Sequence, residues 1–249
     1  MTQQRLVFGE IAAQYEQARP SYPGELFDAV TAFGGLTAGD TALEIGAGTG
    51  KATTHFVERG LRVHALEPSA PMAAVLRAKG IAAEEVTFED WRVRPREFRL
   101  VYAAQAWHWV GGEDRYEKVA AALAPHGVVA LFWNKGRDWE GSLRRDNDAM
   151  YEQYAPEMTS SLGSWNLDWV AEQLEASGMF EPTVTRSFTW HRTYTTEEWV
   201  RLLGTHSDHR VLSESQRTQL HAAVGGVIDA HGGAVDVVYD AVLYLSRRV

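Results

Sequence analysis

Cysteine is absent from the 249 residues. That excludes disulfides, thiolate nucleophiles, iron–sulfur ligation and cysteine-type zinc sites together. Positive charge is scarce: 24 Lys and Arg stand against 33 Asp and Glu, a formal net charge of -9 at pH 7. Such a field repels phosphate backbones and anionic lipid surfaces, so neither nucleic acid nor a membrane is an expected partner. No stretch approaches the ~18 apolar residues of a membrane span, and the segment carrying Arg5, Glu10, Glu16 and Arg19 has no apolar signal region. The expectation is a cytoplasmic chain, monomeric or homodimeric.

What is present is an ordinary core-forming composition, 45% hydrophobic and 23% charged. Short β-rich apolar runs alternate with helical ones, predicting strands at 41–45, 61–66, 83–88, 99–104 and 128–133 and helices at 49–59, 70–79 and 113–123. Beyond Trp133 longer helical stretches, 142–154 and 168–176, read as a cap. Thr195 with Glu198 and Ser213 with Gln216 have capping-box spacing, the first ahead of Trp199, Leu202 and Leu203, the second ahead of Leu220, Val224 and Ile228. Segments 183–190 and 235–245 alternate as an antiparallel edge hairpin, the second with Val235, Val237, Tyr239, Ala241, Leu243 and Leu245 on one face. The fold class is α/β, doubly wound and mostly parallel. One domain, 1–249, has a cofactor-binding core at 35–133, a helical lid drawn from 1–34 and 134–232, and hairpin strands with intervening helices in 182–249.

The sharpest motif closes the first strand: Leu43-Glu44-Ile45-Gly46-Ala47-Gly48-Thr49-Gly50. Glycine at every second position permits close backbone approach or positive φ. A dinucleotide fingerprint places a third glycine where the helix packs behind a pyrophosphate, and Thr53 stands there instead. Glu44 repels a pyrophosphate and favours an ammonium or a ribose hydroxyl. Glu67, in Leu66-Glu67-Pro68, can accept from both hydroxyls of a ribose. The pairing points to S-adenosylmethionine.

Glu44 to Gly50, Glu67 and Asp90-Trp91 resemble the motifs of class I S-adenosylmethionine-dependent methyltransferases. Phe8-Gly9-Glu10-Ile11-Ala12, Tyr15, Arg19-Pro20-Ser21-Tyr22-Pro23 and Gln105-Ala106-Trp107-His108-Trp109-Val110 resemble the type 11 small-molecule group, which includes trans-aconitate methyltransferase-like enzymes. The resemblance implies a Rossmann-like, seven-stranded sheet with an antiparallel C-terminal edge. It also implies in-line transfer of a methyl group to an O, N or C nucleophile of a small molecule. Gly46, Gly48 and Gly50 then face the cofactor's adenosyl and methionine parts, and Glu67 with Pro68 its ribose. Asp90 accepts from the adenine amino group while Trp91 and Met72 cover the ring. Gln105 lies by the methionine amino group, and Tyr15 and Arg19 close over the cofactor. Phe98-Arg99 departs from the acidic residue that usually opens the fourth strand.

His108 is the candidate base, with an unperturbed pKa of roughly 6.5 and a position just past the fourth strand; its alternative is to orient the substrate. Trp107, Trp109, Trp133 and His206 are assigned to the substrate pocket, against the ordinary use of large aromatics in packing loops on a sheet. Met72 has the same core alternative. His206, Asp208 and His209 offer no firm third ligand, so no metal is expected, and they are read instead as edging the pocket. Arg137, Arg144 and Arg145 read as carboxylate binders or as a solvated face. Two rival functions stay open: a catalytically idle nucleoside-binding scaffold of the same fold, and a nicotinamide-dependent oxidoreductase.

Overall fold

The computed structural model describes residues 12–158 and 166–249, so Phe8 to Ile11 of the N-terminal motif lie outside the described residues. After α1 (Ala12–Ala18) and α2 (Gly24–Gly34) come β1 (Thr41–Ile45), α3 (Thr53–Glu58), β2 (Arg62–Leu66), α4 (Ala70–Ala78) and β3 (Ala83–Glu84). Then follow β4 (Phe98–Ala104), α5 (Arg115–Ala122), β5 (Leu123–Gly136), α6 (Gly141–Tyr154) and α7 (Asp168–Ala176). The chain ends with β6 (Val184–Thr195), α8 (Thr196–Leu203), α9 (Ser207–Val211), α10 (Glu214–Ala230) and β7 (Ala234–Arg247). Seven strands make one sheet in the order β3-β2-β1-β4-β5-β7-β6. The pairs from β3 through β5 are parallel, and β7 runs antiparallel to both β5 and β6. This is the Rossmann-like sheet with an antiparallel edge.

The pleat sends successive side chains to opposite faces. Leu43, Ile45, Val101, Ala103, Val129 and Leu131 meet one set of helices, α5 and α7. Leu100, Tyr102, Ala130, Phe132, Leu243 and Leu245 meet α2 and α3. With both faces covered, the central strands read as nearly continuous apolar runs. The strand order reverses beside β1, which leaves a crevice at the carboxyl ends of β1 and β4.

Two segments expected in the lid are core helices instead. Leu26, Phe27 and Val30 of α2 are fully buried on the sheet, and Val170 and Leu174 of α7 pack with Trp133 and Tyr244. Each helix carries an apolar stripe, which a sheet face buries more completely than a cap does. The cap is built from the end of α1, α6, α8 and α10, whose Ala18, Tyr151, Trp199, Leu202, Leu220 and Val224 cluster on Val235 and Val237 of β7. Both expected capping boxes form, with Thr195 and Ser213 each accepting from the backbone three residues on. α3 begins at Thr53 rather than 49 because Gly48 and Gly50 sit at φ 59 and 88, which a right-handed helix cannot include. β3 stops at Glu84, and the residues up to Phe88 leave the sheet. No helix among the described residues is long and apolar enough to cross a membrane.

Candidate active site

The chain leaves β1 through three glycines at positive φ, and each serves a different need. A Cβ on Gly46 would stand 2.7 Å from the Ala106 Cβ, and one on Gly50 would stand 2.6 Å from Leu76 Cδ2. Gly48 faces nothing within 4 Å, so the loop is open there to a ligand. Glu67 anchors that point: its Oε2 accepts from the Gly48 N–H at 2.7 Å and its Oε1 from the Ser69 N–H at 2.8 Å. Burial pushes its pKa up, and the two backbone bonds pull it back.

Below the loop Glu44 is buried, its Oε2 accepting from Thr53 Oγ1 at 2.5 Å and from the Tyr102 hydroxyl at 2.8 Å. Burial raises its pKa to about 8, so the acid is protonated at neutral pH. Thr53, at the position of a third glycine, therefore serves as a donor to a neutral acid.

Two cavities meet over this loop. The smaller, about 130 Å³, is lined by Glu67, Pro68, Met72, Val86, Phe88 and Val110 among others. The larger, about 370 Å³, is bounded by Arg19, Glu44, His108, Trp133 and His206, with side chains of the cap. Tyr15, Gly46, Gly48, Gln105 and Trp109 line both. Gln105 is held at φ 55, an uncommon conformation for a residue with a Cβ. Its Oε1 is buried without a partner, as are Thr49 Oγ1 and Arg19 Nε. Arg19 donates through Nη2 to the Thr205 carbonyl at 2.9 Å and lies 5.3 Å over the Tyr15 ring. Each buried orphan costs about 1–3 kcal/mol unless a ligand pairs it.

Several expected residues stand elsewhere. Asp90 is exposed, accepts from Thr87 Oγ1 at 2.8 Å and borders neither cavity, whereas its neighbour Glu89 lines the smaller one and accepts from the Gly111 N–H at 2.9 Å. Trp91 is 2% exposed and packs with Phe88 and Phe98 in the core. Trp107 is fully buried with its Nε1 donating to the Tyr116 hydroxyl. Gly50 lines neither cavity. For Asp90 and Trp91 the cause is that β3 ends early and the following turn presents residues 86 to 89; Trp107 is held by Tyr116, and Gly50 packs against Leu76.

His108 is on the wall but is not arranged as a base. Its Nδ1 accepts the Trp133 indole N–H at 3.2 Å. An indole nitrogen only donates, so in the neutral ring Nε2 carries the proton. Burial lowers the pKa to about 4. The residue is a neutral hydrogen-bond donor. Arg137 is paired with Asp240, and Arg144 with Asp148 and Asp138, so their charge is already answered. His206, Asp208 and His209 bring ligand atoms within 4.8 Å of one another. Both ring nitrogens of His209, however, are engaged, Nδ1 with His221 Nε2 and Nε2 with the Tyr151 hydroxyl, each at 3.1 Å.

Of the cap wall, His206, Asp208 and His209 line the larger cavity as expected, whereas the side chains of α6 and the two tryptophans beside it were not foreseen from sequence. Asn147 and Tyr151 of α6, with Trp139 and Trp199, line the larger cavity. Asn147 is only 4% exposed, and a polar residue one turn from Leu143 and from Tyr151 on an apolar stripe was the available signal.

The strand order, the open glycine loop and the paired cavities at the carboxyl ends of the parallel strands define a Rossmann-like α/β protein with a ligand crevice at its topological switch point. Residues 42–127 match the family model described as a methyltransferase domain. An uncharacterized methyltransferase of Mycobacterium tuberculosis is 34% identical over 221 residues, 81% of this chain and 87% of that protein. Another, from Schizosaccharomyces pombe, is 26% identical over 252 residues, 95% of each. Among solved structures, a protein of Anaeromyxobacter dehalogenans assigned as a type II methyltransferase superposes with a TM-score of 0.67 at 19% identity, over 92% of this chain and 97% of that one. Phosphoethanolamine N-methyltransferase 2 of Haemonchus contortus, solved with phosphomonomethylethanolamine and S-adenosylhomocysteine, gives 0.56 at 16%, over 96% of this chain and 57% of that one. The chain belongs to the class I S-adenosylmethionine-dependent methyltransferases. These relatives carry the family and not the trans-aconitate resemblance.

Proposed function

We propose that the chain transfers the methyl group of S-adenosylmethionine to a small molecule held in the larger cavity. The observation that carries this is the junction of the two cavities over Gly46 and Gly48, with Glu67 and Met72 on one side and His108 with the aromatic cap on the other. The residues suit the cofactor. The apolar slot between Pro68, Met72 and Phe88 is of a kind that takes a purine, and Glu67 keeps lone pairs beyond those used by Gly48 and Ser69 for ribose hydroxyls. The orphans Gln105 Oε1, Thr49 Oγ1 and Arg19 Nε complement an ammonium and a carboxylate.

The bound cofactor supplies an electrophilic methyl group on a sulfonium. The chain's contribution is to hold the two reactants against each other where the two cavities meet; near-attack geometry there is worth ~7–11 kcal/mol of the barrier. Aromatic faces of Tyr15 and Trp109 suit a sulfonium and exclude water. His108 donates through Nε2 and orients the acceptor.

Calorimetry of the purified chain with S-adenosylhomocysteine, S-adenosylmethionine and NADH tests the reading. Micromolar binding of the first two and none of NADH is expected. Tight NADH binding without sulfonium binding replaces the reading with an oxidoreductase. Binding without turnover on any small nucleophile favours an idle nucleoside-binding scaffold.

A further inference from the structure

The far wall of the larger cavity carries a hydrogen-bonded chain that cofactor binding does not use. Tyr151, on α6, is 6% exposed and places its hydroxyl 3.1 Å from Nε2 of His209 on α9. His209 is 2% exposed, and its Nδ1 lies 3.1 Å from Nε2 of His221 on α10. His221 is only half-buried. Tyr151 and His209 both line the cavity, so the three side chains run from the cavity wall toward the surface. Each neutral imidazole has one nitrogen that donates and one that accepts. The chain is therefore polarised in a single sense at any moment, and its sense can reverse.

Beside its start the wall is aromatic, with Trp139 and Trp199 at 5.0 Å between ring centroids. It is also polar at two points: Trp139 Nε1 is buried without a partner, and the Asn147 amide is buried on the same cavity. Of the cations on the cavity, Arg144 and Lys51 are paired with carboxylates, while Arg19, which also lines it, donates to the Thr205 carbonyl. The flat walls and two polar points beside Tyr151 suit an uncharged aromatic ring.

We propose that the acceptor is a small phenol, a hydroxyl on an aromatic ring, and that Tyr151 and His209 take its proton and hand it to His221. This rests on the methyltransferase reading above. The phenolic proton moves to the Tyr151 oxygen as the Tyr151 proton moves to His209 Nε2. The His209 Nδ1 proton passes to His221 Nε2, and the His221 Nδ1 proton leaves to water. The freed oxygen pair forms the new O–CH3 bond as the methyl–sulfur bond breaks, and the sulfur keeps that electron pair. No net charge rests on His209, which is required there. Arg19, Arg217, His206 and His221 face it as cations or potential cations, against Asp208 and the neutral Tyr151, and burial holds all three histidines below the usual imidazole range. His108, with its Nε2 protonated, cannot take this proton.

The test compares phenol with 4-nitrophenol as methyl acceptors in mildly alkaline buffer, where the nitro compound arrives ionised and needs no base. The full chain is used, with Tyr151→Phe, His209→Gln and His221→Gln, and S-adenosylhomocysteine affinity checks the folding of each. In the variants kcat for phenol is expected to fall by about 10²-fold; in His209→Gln and His221→Gln, which leave the Tyr151 hydroxyl in place, KM and 4-nitrophenol turnover should change only a few-fold. A readout without turnover accompanies it. With S-adenosylhomocysteine bound, the phenolate absorbance of bound 4-nitrophenol should titrate at higher pH in Tyr151→Phe than in the parent, since the hydroxyl that donates to the phenolate is gone. Equal loss on both phenols, an unmoved titration, or no methylation of either phenol by a chain that binds S-adenosylhomocysteine overturns the relay alone. Failure to bind S-adenosylhomocysteine overturns the methyltransferase reading and the relay with it.

Discussion

Both oxygens of Glu67 accept a backbone N–H and each has a further lone pair, and the residue lines the smaller cavity, so it couples the shape of the glycine loop to a ligand bound there. Glu67→Gln removes the charge and turns an NH2 against one of the two backbone donors. A hydrogen bond to a charged group is worth about 1.5–3 kcal/mol, so the affinity for S-adenosylhomocysteine should drop by roughly 10- to 100-fold in calorimetry. The melting temperature should fall with it, because a buried N–H at Gly48 or Ser69 loses its acceptor. Unchanged affinity removes the ribose role. Glu44 behaves differently despite sharing the motif. Its two donors, Thr53 and Tyr102, hold a protonated acid as part of the floor of the larger cavity. One carboxylate position is legible from chemistry and the other only from burial, since nothing local to Glu44 announces that Tyr102, on the neighbouring strand, completes its shell.

At the scale of elements, the β1–α3 turn separates what a glycine does for folding from what it does for binding. Gly48→Ala adds only left-handed strain, about 1–2 kcal/mol, with no contact to relieve. It should fold, with a methyl placed in the ligand's path and binding of S-adenosylhomocysteine lost. Gly50→Ala combines the strain with a clash on Leu76 Cδ2, so thermal unfolding should show the larger loss of stability there. The reverse ranking would mean that Gly48 is the packing residue.

The same turn shows how legibility divides. β1 and the two capping boxes were readable because apolar runs and cap spacing are local signals. The ends of α3 and β3 were not, since backbone conformation at Gly48 and the departure of residues 86 to 89 from the sheet are set by tertiary packing. Asp90 and Trp91 were misplaced for that reason: a shift of one residue moves a side chain from cavity to solvent or core. The helices α2 and α7 read as lid because an apolar stripe does not say which surface it will meet. Part of the substrate wall stayed hidden: His206 and His209 were expected at the pocket edge, but Asn147 and Tyr151 come from a separate helix that only the cap brings beside them.

Across the whole molecule the buried titratable groups pull stability in opposite directions with pH. Burial lowers the pKa of His55, His108, His206, His209 and His221 below 6.5, to about 4 for His108 and His221. Below pH 6.5 the unfolded chain therefore takes up protons that the fold refuses, and stability is lost as pH falls. Glu44 and Glu67 act with the other sign. Their folded pKa values are raised above 4.5, that of Glu44 to about 8, so the stability they contribute is full below 4.5 and is lost as pH rises through the folded value. Between 4.5 and 6.5 five histidines oppose two carboxyls and stability climbs with pH. At its ordinary 6.5 an unfolded histidine is still half protonated, so the five go on adding stability up to about pH 7; beyond that the proton kept by Glu44 outweighs them and erodes stability, by under about 1 kcal/mol net up to pH 8, at no more than 1.36 kcal/mol per unit. The melting temperature should pass through a shallow maximum near about pH 7. In Glu44→Gln, which keeps an acceptor for Thr53 and Tyr102 without a proton to lose, the descending limb should flatten. A parent curve that goes on rising from pH 7 to 8 in step with that of Glu44→Gln would show that Glu44 is ionised in the fold, and with it that the floor of the larger cavity carries a negative charge.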